Sequence, residues 1–243
     1  MYHFFVAPEQ IGEKEIWIEG SDVNHIRNVL RMTPGEKITV SSGADGKEYF
    51  CEIRRLLEDQ VVAEILEQKE ASSELPSKLA LFQGLPKSDK MELIIQKCVE
   101  LGVERIVAVS TARAIVKLDK KESKKLERWQ KIAEAAAKQS GRGRIPTIGE
   151  RVLHFREAVA EAKALDGAII PYEKEEKTGL RKFVQSFSGE SVGVFIGPEG
   201  GFTEEEIAWA QENGVTPITL GKRILRTETA GMTTTAILLY ELE

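Results

Sequence analysis

A pattern that occurs twice in the last fifth of the chain constrains the fold most. Between residues 191 and 231, a short β-branched run ends at a glycine, first at Gly197 and then at Gly221, and a loop and a helical pattern follow each time. Strands that end in glycine loops and lead into helices are typical of α/β proteins, which bind ligands at the carboxyl ends of parallel strands. Two such loops so close in sequence predict one pocket that both of them line.

The chemistry of the two loops suits a ligand that the backbone approaches closely. The first loop, Gly-Pro-Glu-Gly-Gly (197–201), has few side chains and is stiffened by Pro198. Its spacing matches neither the P-loop nor the dinucleotide-binding fingerprint. The second loop alternates apolar residues with Arg226 and Glu228, which suits a flat heterocycle beside a polar reacting group. The alternative for the first loop is a plain turn before a helix capped by Thr203 and Glu206.

The composition of the whole chain excludes several classes of protein. The chain has 243 residues with 42% apolar and 30% charged side chains, as in soluble globular proteins. We find no apolar run long enough to span a bilayer and no signal-peptide pattern. Cys51 and Cys98 lie in apolar patterns, which indicates buried thiols in a reducing cytoplasm. Three scattered histidines and the absence of a metal-ligand motif argue against a metal site and against a Ser-His-Asp hydrolase.

The patterns along the chain predict two domains of different class. Residues 1–70 contain short alternating segments separated by turn signals, which indicates a small β-barrel. Residues 71–77 are polar and contain Pro76, so we predict a linker there. Residues 78–243 alternate buried strands with helices, which predicts a parallel sheet of the α/β class.

Basic residues cluster although the net charge is −5. Three pairs stand out: Arg27 and Arg31 on a predicted short helix (22–31), Lys87 and Lys90 at the start of another helix, and Arg142 and Arg144 after a third. Each of the first two pairs is either a solvated face or an anion contact. For the third pair we favour contact with RNA or a ligand over a plain surface loop. Two arginines that flank a glycine on a turn are poorly placed for a core, and their guanidinium groups match phosphate oxygens.

Four motifs in order along the chain resemble those of one family. They are Lys-Ser-Asp-Lys-Met-Glu (87–92) continuing to Glu-Leu-Gly (100–102), Gln-Ser-Gly-Arg-Gly-Arg-Ile-Pro (139–146), Phe-Ile-Gly-Pro-Glu-Gly-Gly (195–201) and Leu-Gly-Lys-Arg-Ile-Leu-Arg-Thr-Glu-Thr-Ala (220–230). Together they resemble the RsmE-type ribosomal RNA uridine N3-methyltransferases, which belong to the knotted SPOUT methyltransferases. The resemblance extends to His-Phe-Phe (3–5) and to residues 25–32, and so covers essentially the whole chain.

The resemblance implies a fold and an activity that the patterns alone do not show. It implies a C-terminal SPOUT domain with a trefoil knot, a PUA-like RNA-binding barrel before it, and a cytoplasmic homodimer whose pockets are completed across the interface. The implied reaction is methyl transfer from S-adenosylmethionine to N3 of one uridine in 16S ribosomal RNA of the small ribosomal subunit. A knotted ribose 2′-O-methyltransferase and a non-catalytic RNA-binding assembly factor remain alternatives.

If the chain has this activity, a mechanistic hypothesis assigns roles to individual residues, and the resemblance implies the segments that contact the cofactor. Arg226 would stabilise the uridine anion, and Glu228 would orient Arg226 or bind the cofactor. The basic residues Arg27, Arg31, Lys87, Lys90, Arg142 and Arg144 would hold RNA phosphates. The expected cofactor contacts are Pro171, Ile196, Gly197, Pro198, Glu199, Gly200, Leu220, Gly221, Ile224, Leu225, Arg226, Glu228, Thr229 and Ala230.

Overall fold

The computed structural model describes residues 1–115 and 122–242, and the chain divides into two compact units. The first unit comprises residues 1–74 and 137–145, and the second comprises residues 75–136 and 146–243. The predicted boundaries at 70 and 78 place the segment 137–145 in the second domain. In the structure this segment, which includes the last turn of a helix, groups with the first unit instead.

Five strands form the sheet of the first unit. They are β1 (Tyr2–Phe5), β2 (Glu15–Glu19), β3 (Lys37–Ser41), β4 (Lys47–Leu56) and β5 (Gln60–Glu70). Their order is β1-β3-β4-β5-β2, with β1 parallel to β3 and the other pairs antiparallel. On β2, Ile16 and Ile18 are buried in the core and their neighbours are not, as a period-two pattern requires. The predicted β-rich first unit is confirmed.

The prediction of one α-helix at residues 22–31 is wrong in its details. A single helical turn, α1 (Ser21–Asn24), is followed by a π-helical turn over His25–Val29, and Arg31 has a left-handed φ of 55°. The wider π turn changes the register of the side chains. Ile26 is therefore buried, whereas Val29, which the α-helical pattern places on the same face, is 60% exposed.

The second unit contains a sheet whose strand pairs all run parallel. Its strands are β6 (Lys78–Gly84), β7 (Arg105–Ser110), β8 (Thr147–Ile148), β9 (Leu153–His154), β10 (Gly167–Pro171), β11 (Ser191–Ile196) and β12 (Val215–Ile218). Their order is β12-β10-β11-β6-β7-β8, and β9 also pairs with β7. The predicted α/β class with a parallel sheet is confirmed. The trefoil knot stays a prediction.

Helices lie between these strands and after the last of them. They are α2 (Lys90–Leu101), α3 (Glu122–Ser140), α4 (Phe155–Ala162), α5 (Leu180–Ser186), α6 (Glu204–Glu212) and α7 (Thr227–Leu242). These helices and the strands give the alternation that the sequence predicts for the second unit, with helices covering a sheet that is apolar on both faces.

Among the described residues, no helix combines the length and the apolar character that a membrane crossing needs.

Aromatic packing holds the centre of the parallel sheet. Phe82 on β6 stacks on Phe195 on β11 with ring centroids 4.5 Å apart, and Phe155 meets Phe195 edge-on at 6.0 Å. Cys98 on α2 is a buried free thiol, as is Cys51 in the first unit, which confirms their predicted burial. Burial raises the pKa of each thiol to about 12, so both stay protonated.

Candidate functional site

One cavity of about 1130 Å³ lies at the carboxyl ends of β10, β11 and β12. Its walls come from Pro171, from the loop after β11 and from residues 219–227, so both glycine loops line one pocket, as predicted. Twelve of the predicted cofactor residues line it: Pro171, Ile196, Gly197, Pro198, Glu199, Gly200, Leu220, Gly221, Ile224, Leu225, Arg226 and Ala230. The predicted residues Glu228 and Thr229 are not part of the lining.

The first glycine loop is held by close backbone packing and by a capped helix. A Cβ on Gly84, at the end of β6, would lie 2.6 Å from Cδ of Pro198, so only glycine fits beside this proline. The amide of Gly201, whose φ is 65°, donates to the carbonyl of Pro198 at 2.9 Å. Thr203 and Glu206 form the predicted capping box at the start of α6. The loop is therefore a capped turn and a pocket wall at the same time.

The second loop is more open than the first. Gly221 has a left-handed φ of 102°, and its amide donates to the hydroxyl of Thr219 at 3.1 Å. Leu225 is half-buried, but Ile224 is 89% exposed, so its side chain is hardly packed against protein. The cations Lys222, Arg223 and Arg226 in this loop are exposed and line the cavity. This wall therefore offers positive charge and exposed apolar surface to a ligand.

A buried chain of hydrogen bonds joins the two loops below the cavity. The amide group of Gln83 donates to the hydroxyl of Thr227 at 2.9 Å, and this hydroxyl donates to the carbonyl of Gly197 at 2.6 Å. Gln83 is fully buried and Thr227 is 5% exposed. The pattern reasoning missed both residues. The one sequence signal that could have identified Gln83 is its position as a polar residue directly after the apolar run Leu-Ala-Leu-Phe (79–82).

Charged side chains meet at the edge of the cavity. Nζ of Lys90 lies 3.1 Å from Oε1 of Glu199 and 3.2 Å from Oε2 of Glu228. The bond to Glu199 is the main reason that the pKa of Lys90 is raised. Burial acts to raise the pKa of Glu199, but hydrogen bonds from backbone amides and from Lys90 outweigh it, so this pKa is lowered. Both groups are therefore charged at neutral pH.

Two of the residues predicted to hold RNA phosphates contact carboxylates of the protein instead. Lys90 is engaged by two carboxylates at the cavity. Arg142 is 4% exposed, and its guanidinium donates to Glu74 at 2.7 and 3.2 Å, so the expectation that it is poorly placed for a core is wrong. The paired carboxylate makes this burial possible. Neither residue presents a free charge to a phosphate in this structure.

The remaining basic residues differ in exposure. Arg31 and Lys87 are exposed, and so is Arg27, which donates to the carbonyls of Leu57 and Glu58 at 2.7 and 2.9 Å. Arg144 is half-buried and donates to the carbonyl of Ala44 at 3.2 Å. These four residues stay candidates for phosphate contact. In the part of the chain that the structure describes, no group of three or more His, Cys, Asp or Glu side chains could hold a metal ion.

Family models match both units. Residues 73–239 match an RNA methyltransferase domain, and residues 18–66 match an RNA methyltransferase PUA domain. The chain is 39% identical to the ribosomal RNA small subunit methyltransferase E of Bacillus subtilis (strain 168), over 100% of this chain and 96% of that protein.

Two solved structures with bound cofactor are also similar. One is a ribosomal RNA small subunit methyltransferase E from Neisseria gonorrhoeae bound to S-adenosyl methionine, with 34% identity, a TM-score of 0.86, and coverage of 98% of this chain and 96% of that one. The other is a putative methyltransferase from Legionella pneumophila in complex with the same cofactor, with 35% identity, a TM-score of 0.84 and the same coverage.

Proposed function

The chain belongs to the ribosomal RNA small subunit methyltransferase E family, and we propose that it transfers a methyl group from S-adenosylmethionine to N3 of a uridine in 16S ribosomal RNA. The observation that carries this proposal is the cavity that both glycine loops line, at the strand ends where α/β proteins bind ligands. The relatives with bound cofactor support the same donor. The cell compartment that fits this substrate is the cytoplasm.

The residues around the cavity fit the proposed donor. Ile196, Leu220 and Leu225 offer apolar contacts for an adenine ring, and the side-chain-poor stretch from Gly197 to Gly201 lets backbone groups reach polar atoms. Glu173 and Glu199 bring negative charge to the cavity wall, which suits a ligand that carries two positive charges. When bound, the donor supplies an electrophilic methyl group on a positively charged sulfur.

The main chemical task of the protein is to make the uridine N3 nucleophilic. N3 carries a proton, and its loss leaves negative charge on the ring oxygens, which a nearby cation stabilises. Arg226 is an exposed cation at the cavity wall. An arginine is a poor base, because a guanidinium group does not give up its proton in proteins. We therefore assign Arg226 to stabilising the uridine anion and Glu228, two residues later on α7, to orienting it.

The RNA substrate would be held by cations on each unit. The exposed Arg27 and Arg31 and the half-buried Arg144 belong to the PUA-type unit, and the exposed Lys87 lies in the loop before α2. Such side chains position the phosphate backbone without reading its sequence. The N3 edge is normally paired or stacked, so we propose that the target base is flipped out of its helix to reach the cavity.

Isotope labelling of the product tests this function directly. Small subunits from cells that lack the modification are incubated with the protein and methyl-labelled S-adenosylmethionine, and the nucleosides are separated by mass spectrometry. We expect the label in 3-methyluridine. Label on a ribose 2′-oxygen would instead support the knotted ribose methyltransferase, and failure to bind the donor by calorimetry would support the assembly factor.

We also propose that the protein is a homodimer, because α7 is apolar on a side that this chain leaves uncovered. Residues 229–240 of α7 contain no charged side chain, yet Ile237 is 39% and Tyr240 81% exposed. Leu93 on α2, which packs beside α7, is 43% exposed. Large apolar side chains that cluster on an uncharged helix face are normally buried, and a second copy of this chain would cover them. Each pocket would then be completed across the interface.

Replacing Ile237 with aspartate should separate the dimer, because burying one unpaired carboxylate per chain is costly. Light scattering after size exclusion should give twice the chain mass for the wild type and the chain mass for the variant, with methyl transfer strongly reduced. Glu241→Gln, at an exposed position on the same helix, is the matched control and should stay dimeric. A monomeric wild type that is fully active would disprove this proposal.

A further inference from the structure

Lys90 is the one predicted RNA contact that the structure places at the edge of the cavity, between two acidic groups. Its ammonium contacts Glu199, in the first glycine loop, and Glu228, at the start of α7 directly after the second loop. We propose that Lys90 is a positioning residue that clamps the two loops together, and so holds Glu228 in place for methyl transfer. This inference rests on the proposed function.

The geometry is that of a built contact rather than a chance surface pair. Lys90 is the first residue of α2, and its side chain is only 27% exposed, while those of Glu199 and Glu228 are 29% and 18% exposed. The backbone amide of Lys87 donates to both oxygens of Glu199 at 3.2 Å, so the start of α2 holds this carboxylate by main chain and side chain together. A carboxylate beside a helix N-terminus also gains from the helix dipole.

Electrostatics makes the lysine necessary for this arrangement. Since both carboxylates contact the same nitrogen, they are near neighbours, and two negative charges so close repel each other unless a cation lies between them. Without Lys90, this repulsion would move the two loops apart. That movement would displace Glu228, which the proposed mechanism uses to orient Arg226.

This role differs measurably from phosphate binding. A lysine that holds an RNA phosphate contributes mainly to RNA affinity, so its loss raises KM for RNA. A lysine that positions the donor pocket contributes to cofactor affinity and to kcat instead. Lys87, three residues earlier and exposed, is assigned to the phosphates and serves as the comparison.

Four variants test the clamp: Lys90→Met, which keeps the aliphatic stem, Lys90→Arg, Glu199→Gln, and the double variant of Lys90→Met with Glu199→Gln. We expect Lys90→Met to weaken S-adenosylmethionine binding and to lower kcat, each by about tenfold, with KM for RNA little changed. Lys90→Arg should keep most activity, and at saturating S-adenosylmethionine the double variant should recover at least part of the loss in kcat because the repulsion is gone. Lys97→Met on the same helix is the inert control.

The outcomes separate the possible explanations. Lys87→Met should raise KM for RNA at unchanged kcat, and the same behaviour in Lys90→Met would overturn the clamp in favour of phosphate contact. At saturating S-adenosylmethionine, a double variant whose kcat is no higher than that of Lys90→Met would also overturn it. Calorimetry with S-adenosylmethionine needs no RNA. A protein that bound the donor but methylated no uridine would therefore disprove the proposed function. The comparison of donor affinities between the wild type and Lys90→Met would still test the clamp.

Discussion

Replacing Arg226 with alanine should lower kcat by about 100- to 1000-fold, the usual effect of removing one group that stabilises charge in a transition state. The side chain lies exposed at the cavity wall, so its loss should leave the fold intact. Affinity for S-adenosylmethionine should change little, because the apolar contacts and the glycine backbone stay in place. Single-turnover methylation of small subunits and calorimetry with the donor measure the two quantities separately.

The control for this experiment is another exposed arginine of the same unit. Arg181 on α5 is exposed and lies outside the cavity lining, so Arg181→Ala should keep wild-type kcat. If Arg226→Ala retained turnover within a few-fold of the wild type, the assignment of anion stabilisation to Arg226 would be wrong. If it lost donor binding as well, Arg226 would belong to the cofactor contacts instead.

Replacing Thr227 with valine should destabilise the protein and weaken donor binding at the same time. Valine has nearly the same shape, but it removes the hydroxyl that joins the buried Gln83 to Gly197, and it leaves a partly buried carbonyl without this partner. Such a loss costs about 1–3 kcal/mol, which corresponds to about tenfold or more in an equilibrium constant. For a chain of this size, we expect the melting temperature to fall by several degrees.

Thr227→Ser is the matched variant, because it keeps the hydroxyl and loses only a methyl group. It should bind S-adenosylmethionine nearly as the wild type does, and thermal unfolding followed by circular dichroism should show a much smaller shift. Equal effects of serine and valine would mean that packing of the methyl group, rather than the hydrogen-bonded chain, holds the loops together.

The sequence by itself determined the elements whose signals are local. Strand runs such as Val192–Ile196 within β11, the glycine at each strand end, and the capping pair Thr203 and Glu206 each depend on neighbouring residues. Because carboxyl ends of adjacent parallel strands meet at one edge, these local signals were enough to predict a shared pocket. The helix at residues 22–31 shows the limit, since a π turn replaces the α-helical register without a clear sequence signal.

Only the tertiary structure decided which charged and polar groups meet. Arg142 donates a hydrogen bond to Glu74, which is 68 positions away in the sequence, and Gln83 donates one to Thr227, which is 144 positions away. An arginine on a turn and a lysine at a helix start look alike in sequence whether they face water or a carboxylate. Their partners are set by how distant segments pack, so the burial of Arg142 and the engagement of Lys90 by Glu199 and Glu228 follow from the fold alone.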